Sequence, residues 1–140
     1  MKSARSFLVA EDDENDVFFL QRAFQQAKIE SPLQVVRDGQ EAIDYLSGAG
    51  KFSDRKEYPL PQLFILDLKM PRMTGLDVLR WLQDQPELHC LPVLVLSSSA
   101  QRTDFERAYE LGANGFVVKP ASLEPGEEAA HKLRAERGGS

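Results

Sequence analysis

The sequence predicts an α/β protein built on a doubly wound, five-stranded parallel sheet. Five apolar runs of strand length recur along the 140 residues, and segments of helical period alternate with them. Three of the runs show no alternation of apolar and polar positions, as strands covered on both faces require. Strands alternating with helices pair in parallel through right-handed crossovers, which leaves few topologies. Strand order 2-1-3-4-5 is expected, and it directs ligands to the crevice outside the carboxyl ends of the first and third strands.

The first strand is "FLVA" (7–10). Behind it Val17, Leu20, Phe24 and Ala27 recur at helical spacing, with Asn15 as the expected N-cap. The second strand, "LQVV" (33–36), precedes a helix from Gly39 to Leu46 whose stripe is Ala42, Ile43 and Leu46. The stretch "SGAGKFSDRKEYPLPQ" (47–62) reads as a long loop with room for a short helical turn. The third strand, "LFIL" (63–66), leads through a turn marked by Pro71 and Gly75 into a helix from Gly75 to Gln83, carrying Val78, Leu79 and Leu82. The fourth strand is "VLVL" (93–96). The helix after it, Thr103 to Leu111, uses Phe105, Ala108 and Leu111 and stops at Gly112. "GFVV" (115–118) is the fifth strand.

After Leu123 comes "EPGEEAAHKLRAERGGS", in which Pro125 can open a helix but Leu133 is the only large apolar residue. One leucine and a few alanines stabilise a helix weakly against the backbone entropy of ordering it. A short, frayed final helix and tail over 125–140 is therefore expected. It would leave apolar surface uncovered near Phe116 and the first helix, with a homodimer as the simplest cover.

Hydrophobic residues make up 42% of the chain, enough for one domain with a real core. A net charge of -5 argues against general attraction to nucleic acid or to an anionic membrane. Cys90 is the single cysteine, so no internal disulfide can form, and it reads as a buried or half-buried filler. No run approaches the roughly 20 apolar residues of a membrane span. The apolar run behind the basic "MKSARS" is too short for a signal peptide, so a cytoplasmic protein is expected.

Five carboxylates crowd into "FLVAEDDEND" at the end of the first strand. A helix N-terminus, a solvated turn or a cation site could each account for them. The residues behind the other strands decide for Glu11 and Asp12. Asp67 stands behind the third strand, Ser97 (with Ser98 and Ser99) behind the fourth, and Lys119 behind the fifth. In this topology all of them meet at one crevice. Asp13 and Asp16 read instead as capping or first-turn acids. Carboxylates that share a site repel and are costly to desolvate, and a hard divalent ion such as Mg²⁺ relieves this while keeping positions for phosphate oxygens. A carboxylate nucleophile, a metal, a hydroxyl and an amine are the groups that phosphoryl transfer to aspartate needs.

The motifs "VAEDD", "LDLKMPRMTG", the hydroxyl after "VLVL" and "VVKP", in this order, resemble the receiver domain of two-component response regulators over residues 5–124. The resemblance implies the flavodoxin-like receiver fold, with Asp67 as phosphoacceptor. It implies a Mg²⁺ site made by Asp12 directly, Glu11 through a water, Asp67, and the backbone carbonyl of Lys69. Ser97 and Lys119 match the pair that engages the phosphoryl oxygens. Ser97 and Phe116 match the switch, in positions often held by threonine and tyrosine. The first helix would dock on a sensor histidine kinase or a phosphotransfer protein, and Phe18 and Phe19 are its candidate contacts. A cis Lys119–Pro120 bond is also implied. The motifs "VVRDGQEAIDYL" and "YELGAN" and the long segment before the third strand further resemble the single-domain regulators paired with bacterial phytochrome-type kinases.

Such a protein is a signalling domain, not an enzyme beyond its own phosphorylation and slow dephosphorylation, and no output domain is expected after residue 124. Three rivals differ in class. A phosphatase with an aspartyl-phosphate intermediate would carry a second acid two residues past the nucleophile, where this chain has Lys69. A flavin carrier would need a phosphate loop after the first strand, where this chain puts acids. A degenerate receiver would bind partners without phosphorylation. His89 and His131 fall outside the site, so the chain has no phosphohistidine candidate of its own.

Overall fold

The strands are β1 (Phe7–Ala10), β2 (Leu33–Val36), β3 (Leu63–Asp67), β4 (Val93–Ser97) and β5 (Gly115–Val118). All are parallel, in the order β2-β1-β3-β4-β5, as expected from the alternation of strand and helix. The helices are α1 (Glu14–Gln26), α2 (Gly39–Ser47), α3 (Gly75–Gln83) and α4 (Arg102–Glu110). This computed structural model describes residues 6–98 and 102–119. The expected final helix over 125–140 and the Lys119–Pro120 bond lie outside those residues.

The side chains of successive strand residues point to opposite faces. Leu8, Ala10, Phe64, Leu66, Val95 and Phe116 join a core with residues of α2, α3 and α4. Val9, Ile65, Leu96 and Val117 meet Leu20 and Phe24 of α1 on the other face. Both faces being covered is the reason the strand sequences are continuously apolar.

Several local expectations are corrected. Asp13, read as a capping or first-turn acid, is the cap of α1 in place of Asn15, its carboxylate accepting the Asn15 N–H at 2.9 Å. Ala27 forms the C-cap, and Ala23 takes the inner position in its place. Adjacent helix residues stand about 100° apart, so Phe18 and Phe19 part company. Phe19 is 7% exposed and belongs to the core, whereas Phe18 is 52% exposed, with the Arg22 guanidinium 5.9 Å from its ring centre. Phe19 is thus no docking residue. Cys90 is exposed rather than buried. Phe116 packs on Phe105 of α4 at 4.1 Å between centroids, on the face away from α1, so it is no part of an α1-side surface.

The segment between α2 and β3 is ordered by its own side chains. Gly50–Phe52 forms a 3-10 turn. Tyr45, Phe52 and Tyr58 pack as a triangle, with centroids 5.1–5.9 Å apart. Gly48, at φ 73°, ends α2 in the left-handed region. The Arg55 guanidinium then donates to the carbonyls of Tyr45 (2.8 Å), Leu46 (2.9 Å) and Tyr58 (3.1 Å). It satisfies acceptors that a helix C-terminus leaves without partners. Arg55→Met keeps the aliphatic packing and removes the donors, and is expected to cost about 1–3 kcal/mol in urea denaturation. A change of a few tenths of that would show the arginine to be ornamental.

Candidate functional site

Glu11, Asp67, Ser97 and Lys119 are each held at the carboxyl edge of the sheet by the end of a strand. The Glu11 N–H donates to the Val36 carbonyl at 2.9 Å, which extends the ladder one residue past β1 and turns the Glu11 side chain inward. Asp12 is exposed beside it. Asp67 is the last residue of β3 and only 4% exposed. Ser97 closes β4 and is fully buried. Lys119 follows β5, and its N–H donates to the Ser97 carbonyl at 2.7 Å.

These placements bring carboxylate oxygens of Glu11, Asp12 and Asp67 within 4.8 Å of one another. Such a set of hard oxygen donors, two buried and one open to solvent, suits a divalent ion that keeps part of its water shell. The Lys119 ammonium donates to Glu11 Oε1 at 2.8 Å and to Asp16 Oδ2 at 2.5 Å, and lies 3.6 Å from Asp67 Oδ2. Three carboxylates thus face one ammonium, with the Asp12 carboxylate beside Glu11 and Asp67.

The electrostatics follow from that count. Burial pushes the Glu11 carboxyl up to about 7, with the Asp67 charge adding and the Lys119 hydrogen bond opposing. Burial also raises Asp67, against the pull of Lys119 and the Lys69 N–H. For Lys119, burial alone would lower the ammonium, but the hydrogen bonds to Asp16 and Glu11 and the charge of Asp67 outweigh it, and the group is raised. Lys119 is a fixed cation. The carboxylates carry strain that a second cation would relieve.

The segment after β3 is clamped at both ends. Gly75 N–H donates to the Leu68 carbonyl at 3.0 Å, and Thr74 and Asp77 form a reciprocal capping box at the start of α3. The Lys69 side chain is exposed, while its N–H points to Asp67 Oδ1 at 3.4 Å. Arg72, at φ 67°, pairs with Asp38, the N-cap of α2, whose Oδ1 also accepts the Glu41 N–H at 2.8 Å. A Cβ on the neighbouring Gly39 would stand 2.5 Å from the Met73 carbonyl, so only glycine permits this approach.

Sequence reasoning misses two parts of the site. Asp38 and Arg72 are ordinary surface residues until the fold joins them across 34 positions. Asp16 reads in the sequence as a first-turn acid, yet it is buried and bound to Lys119. A signal for it exists, because Asp16 falls on the same helical stripe as Leu20, Ala23 and Phe24, where a solvated acid has no place.

The sheet order and the acids, hydroxyl and amine at its carboxyl edge fit a receiver domain of the two-component type. The model of the response regulator receiver domain family matches residues 7–131, and the chain belongs to that family. Response regulator Rcp1 of Synechocystis is 32% identical over 116 residues, which cover 83% of this chain and 77% of Rcp1. The crystal structure of response regulator RPA3017 in red light signaling of R. palustris has a TM-score of 0.83 and 36% identity, covering 96% of this chain and 90% of that one. The phosphorylated cyanobacterial phytochrome response regulator RcpA has a TM-score of 0.79 and 31% identity, with 86% and 84% covered. The chain is therefore a response regulator receiver homologous to phytochrome response regulators. Receiver domains bind Mg²⁺ or Mn²⁺ at an acidic pocket, and Rcp1 has been crystallised with Mn²⁺. The family is a signalling domain that works with histidine kinases or phosphotransfer proteins. Among the described residues no helix is long and apolar enough to cross a membrane.

Proposed function

We propose that Asp67 accepts a phosphoryl group from a sensor histidine kinase of the phytochrome type, in a reaction that requires Mg²⁺. One observation carries this reading: the buried Asp67 carboxylate shares its pocket with the oxygens of Glu11 and Asp12 and lies 3.6 Å from the Lys119 ammonium. An Asp67 oxygen attacks phosphorus, the bond from phosphorus to the donor nitrogen or oxygen breaks, and an acyl phosphate remains on Asp67. Asp12, Asp67, the Lys69 carbonyl and Glu11 would hold the ion, which would supply positive charge for the phosphoryl oxygens beside that of Lys119.

Ser97, at the buried end of β4, is the hydroxyl that turns toward the phosphoryl group. Phe116, stacked on Phe105 of α4, is the aromatic that follows it and carries the change to the partner-binding surface. Phe18 is the exposed apolar contact on α1 for the kinase or phosphotransfer protein. With every reacting group in place, phosphorylation-independent binding is the less favoured reading. We place the receiver unit at 5–124. A homodimer over the α1-side sheet face, where Phe7, Ile29, Leu63 and Leu94 are only partly buried, is the self-association to seek by light scattering.

The test is intact-mass measurement after incubation with acetyl phosphate, in Mg²⁺ and in chelator. One phosphoryl group should be gained in Mg²⁺ only. The ion binds the native state alone, so millimolar Mg²⁺ should also raise the melting temperature. No adduct and no thermal response would remove the proposal.

A further inference from the structure

We propose that Asp16 is a positioning residue, an internal counter-anion that holds Lys119 away from Asp67 until a phosphoryl group outcompetes it. The inference rests on the reading of Asp67 as phosphoacceptor. An ammonium has three protons to donate. In this structure two of them are committed, to Asp16 Oδ2 at 2.5 Å and Glu11 Oε1 at 2.8 Å, while Asp67 Oδ2 stands beyond hydrogen-bond reach at 3.6 Å. Asp16 is not one of the three acids whose oxygens cluster for an ion. It enters from α1 and is itself buried.

Among the described residues, Lys119 is the partner that accounts for a carboxylate there. On that stripe of α1 its neighbours are Leu20, Ala23 and Phe24, and a buried acid is costly without a strong partner. Lys119, with its side chain only 9% exposed, is that partner. The pair therefore has a defined state before phosphorylation. Phosphorylation attaches to one carboxylate oxygen of Asp67 a group with more charge and longer reach. The phosphoryl oxygens then compete for Lys119, and its bond to Asp16 is the one that weakens. Asp16 accordingly sets how readily the lysine is released to the incoming phosphoryl group.

The expected result is an increase in rate on removing the charge. A charge-assisted hydrogen bond is strong enough that Asp16→Asn should speed phosphorylation by acetyl phosphate by about tenfold, each protein being assayed in saturating Mg²⁺. Asp16→Ala should change the rate in the same direction. The gain should persist in high salt, which screens general repulsion of the anionic donor but not a contact between buried groups. In the parent protein, ¹⁵N-lysine labelling should reveal a protected ammonium signal, assigned by its loss in Lys119→Arg, that moves on phosphorylation. That measurement stands even if the Asp16 variants do not fold. An unchanged or slower folded Asp16→Asn, or an ammonium signal indifferent to phosphorylation, would overturn the role. A parent protein that takes up no phosphoryl group would instead overturn the reading of Asp67.

Discussion

Asp67→Asn should take up no phosphoryl group from acetyl phosphate at any Mg²⁺ concentration, while remaining folded. The amide is nearly isosteric with the carboxylate but is no nucleophile. None of the other acids at the site can replace it. Glu11 and Asp16 are each hydrogen-bonded to Lys119, and Asp12 is exposed. The same substitution removes one charge from a pocket where three carboxylates face one ammonium and Asp12 stands beside them. It should therefore raise the melting temperature of the metal-free protein and blunt the response to Mg²⁺. Loss of phosphorylation with a lowered metal-free melting temperature would contradict the electrostatic half of the account. An adduct of the parental size would contradict the chemical half.

Gly75→Ala should destabilise the fold and impair phosphorylation together. By helix propensity alone, alanine at the first position of α3 would be an improvement. Packing reverses that sign. A Cβ at Gly75 would stand 2.5 Å from the Asp67 carbonyl oxygen and 2.8 Å from the Leu68 Cα. Both are backbone atoms, so no rotamer change makes room. Either α3 moves out or the end of β3 moves, and Asp67 moves with it. Overpacking of this kind costs about 1–3 kcal/mol, and a strained backbone can cost more. Urea denaturation should show a loss of that size, and the rate of phosphorylation should fall beyond what the unfolded fraction explains. A variant as stable and as reactive as the parent would mean that the close approach of α3 to the phosphoacceptor has no functional weight.

The fold was legible because its strands are buried on both faces, which writes them into the sequence as continuous apolar runs. The site was legible because each reacting group stands directly behind one of those runs. Topology alone then brings Glu11, Asp67, Ser97 and Lys119 to one edge. What was not legible depends on contacts without periodicity. Asp16 finds Lys119 across 103 positions, and Arg72 finds Asp38 across 34. The cap of α1 fell to Asp13 rather than Asn15 because its side chain reaches back to the N–H two residues on. Phe18 and Phe19 look alike in sequence, and only the orientation of α1 on the sheet decides which is core. The ordering of the loop before β3 by Arg55 was invisible for a similar reason, since its acceptors are backbone carbonyls.

On the reading proposed above, one particular carboxylate carries the phosphoryl group. Borohydride reduces an acyl phosphate to the alcohol, which converts a phosphorylated aspartate to homoserine. Peptide mapping of the acetyl phosphate-treated protein after this reduction should find homoserine at position 67, in Mg²⁺ only, with Asp12, Asp13 and Asp16 unchanged. Homoserine at another position, or a phosphoryl group that borohydride does not remove, would contradict that assignment.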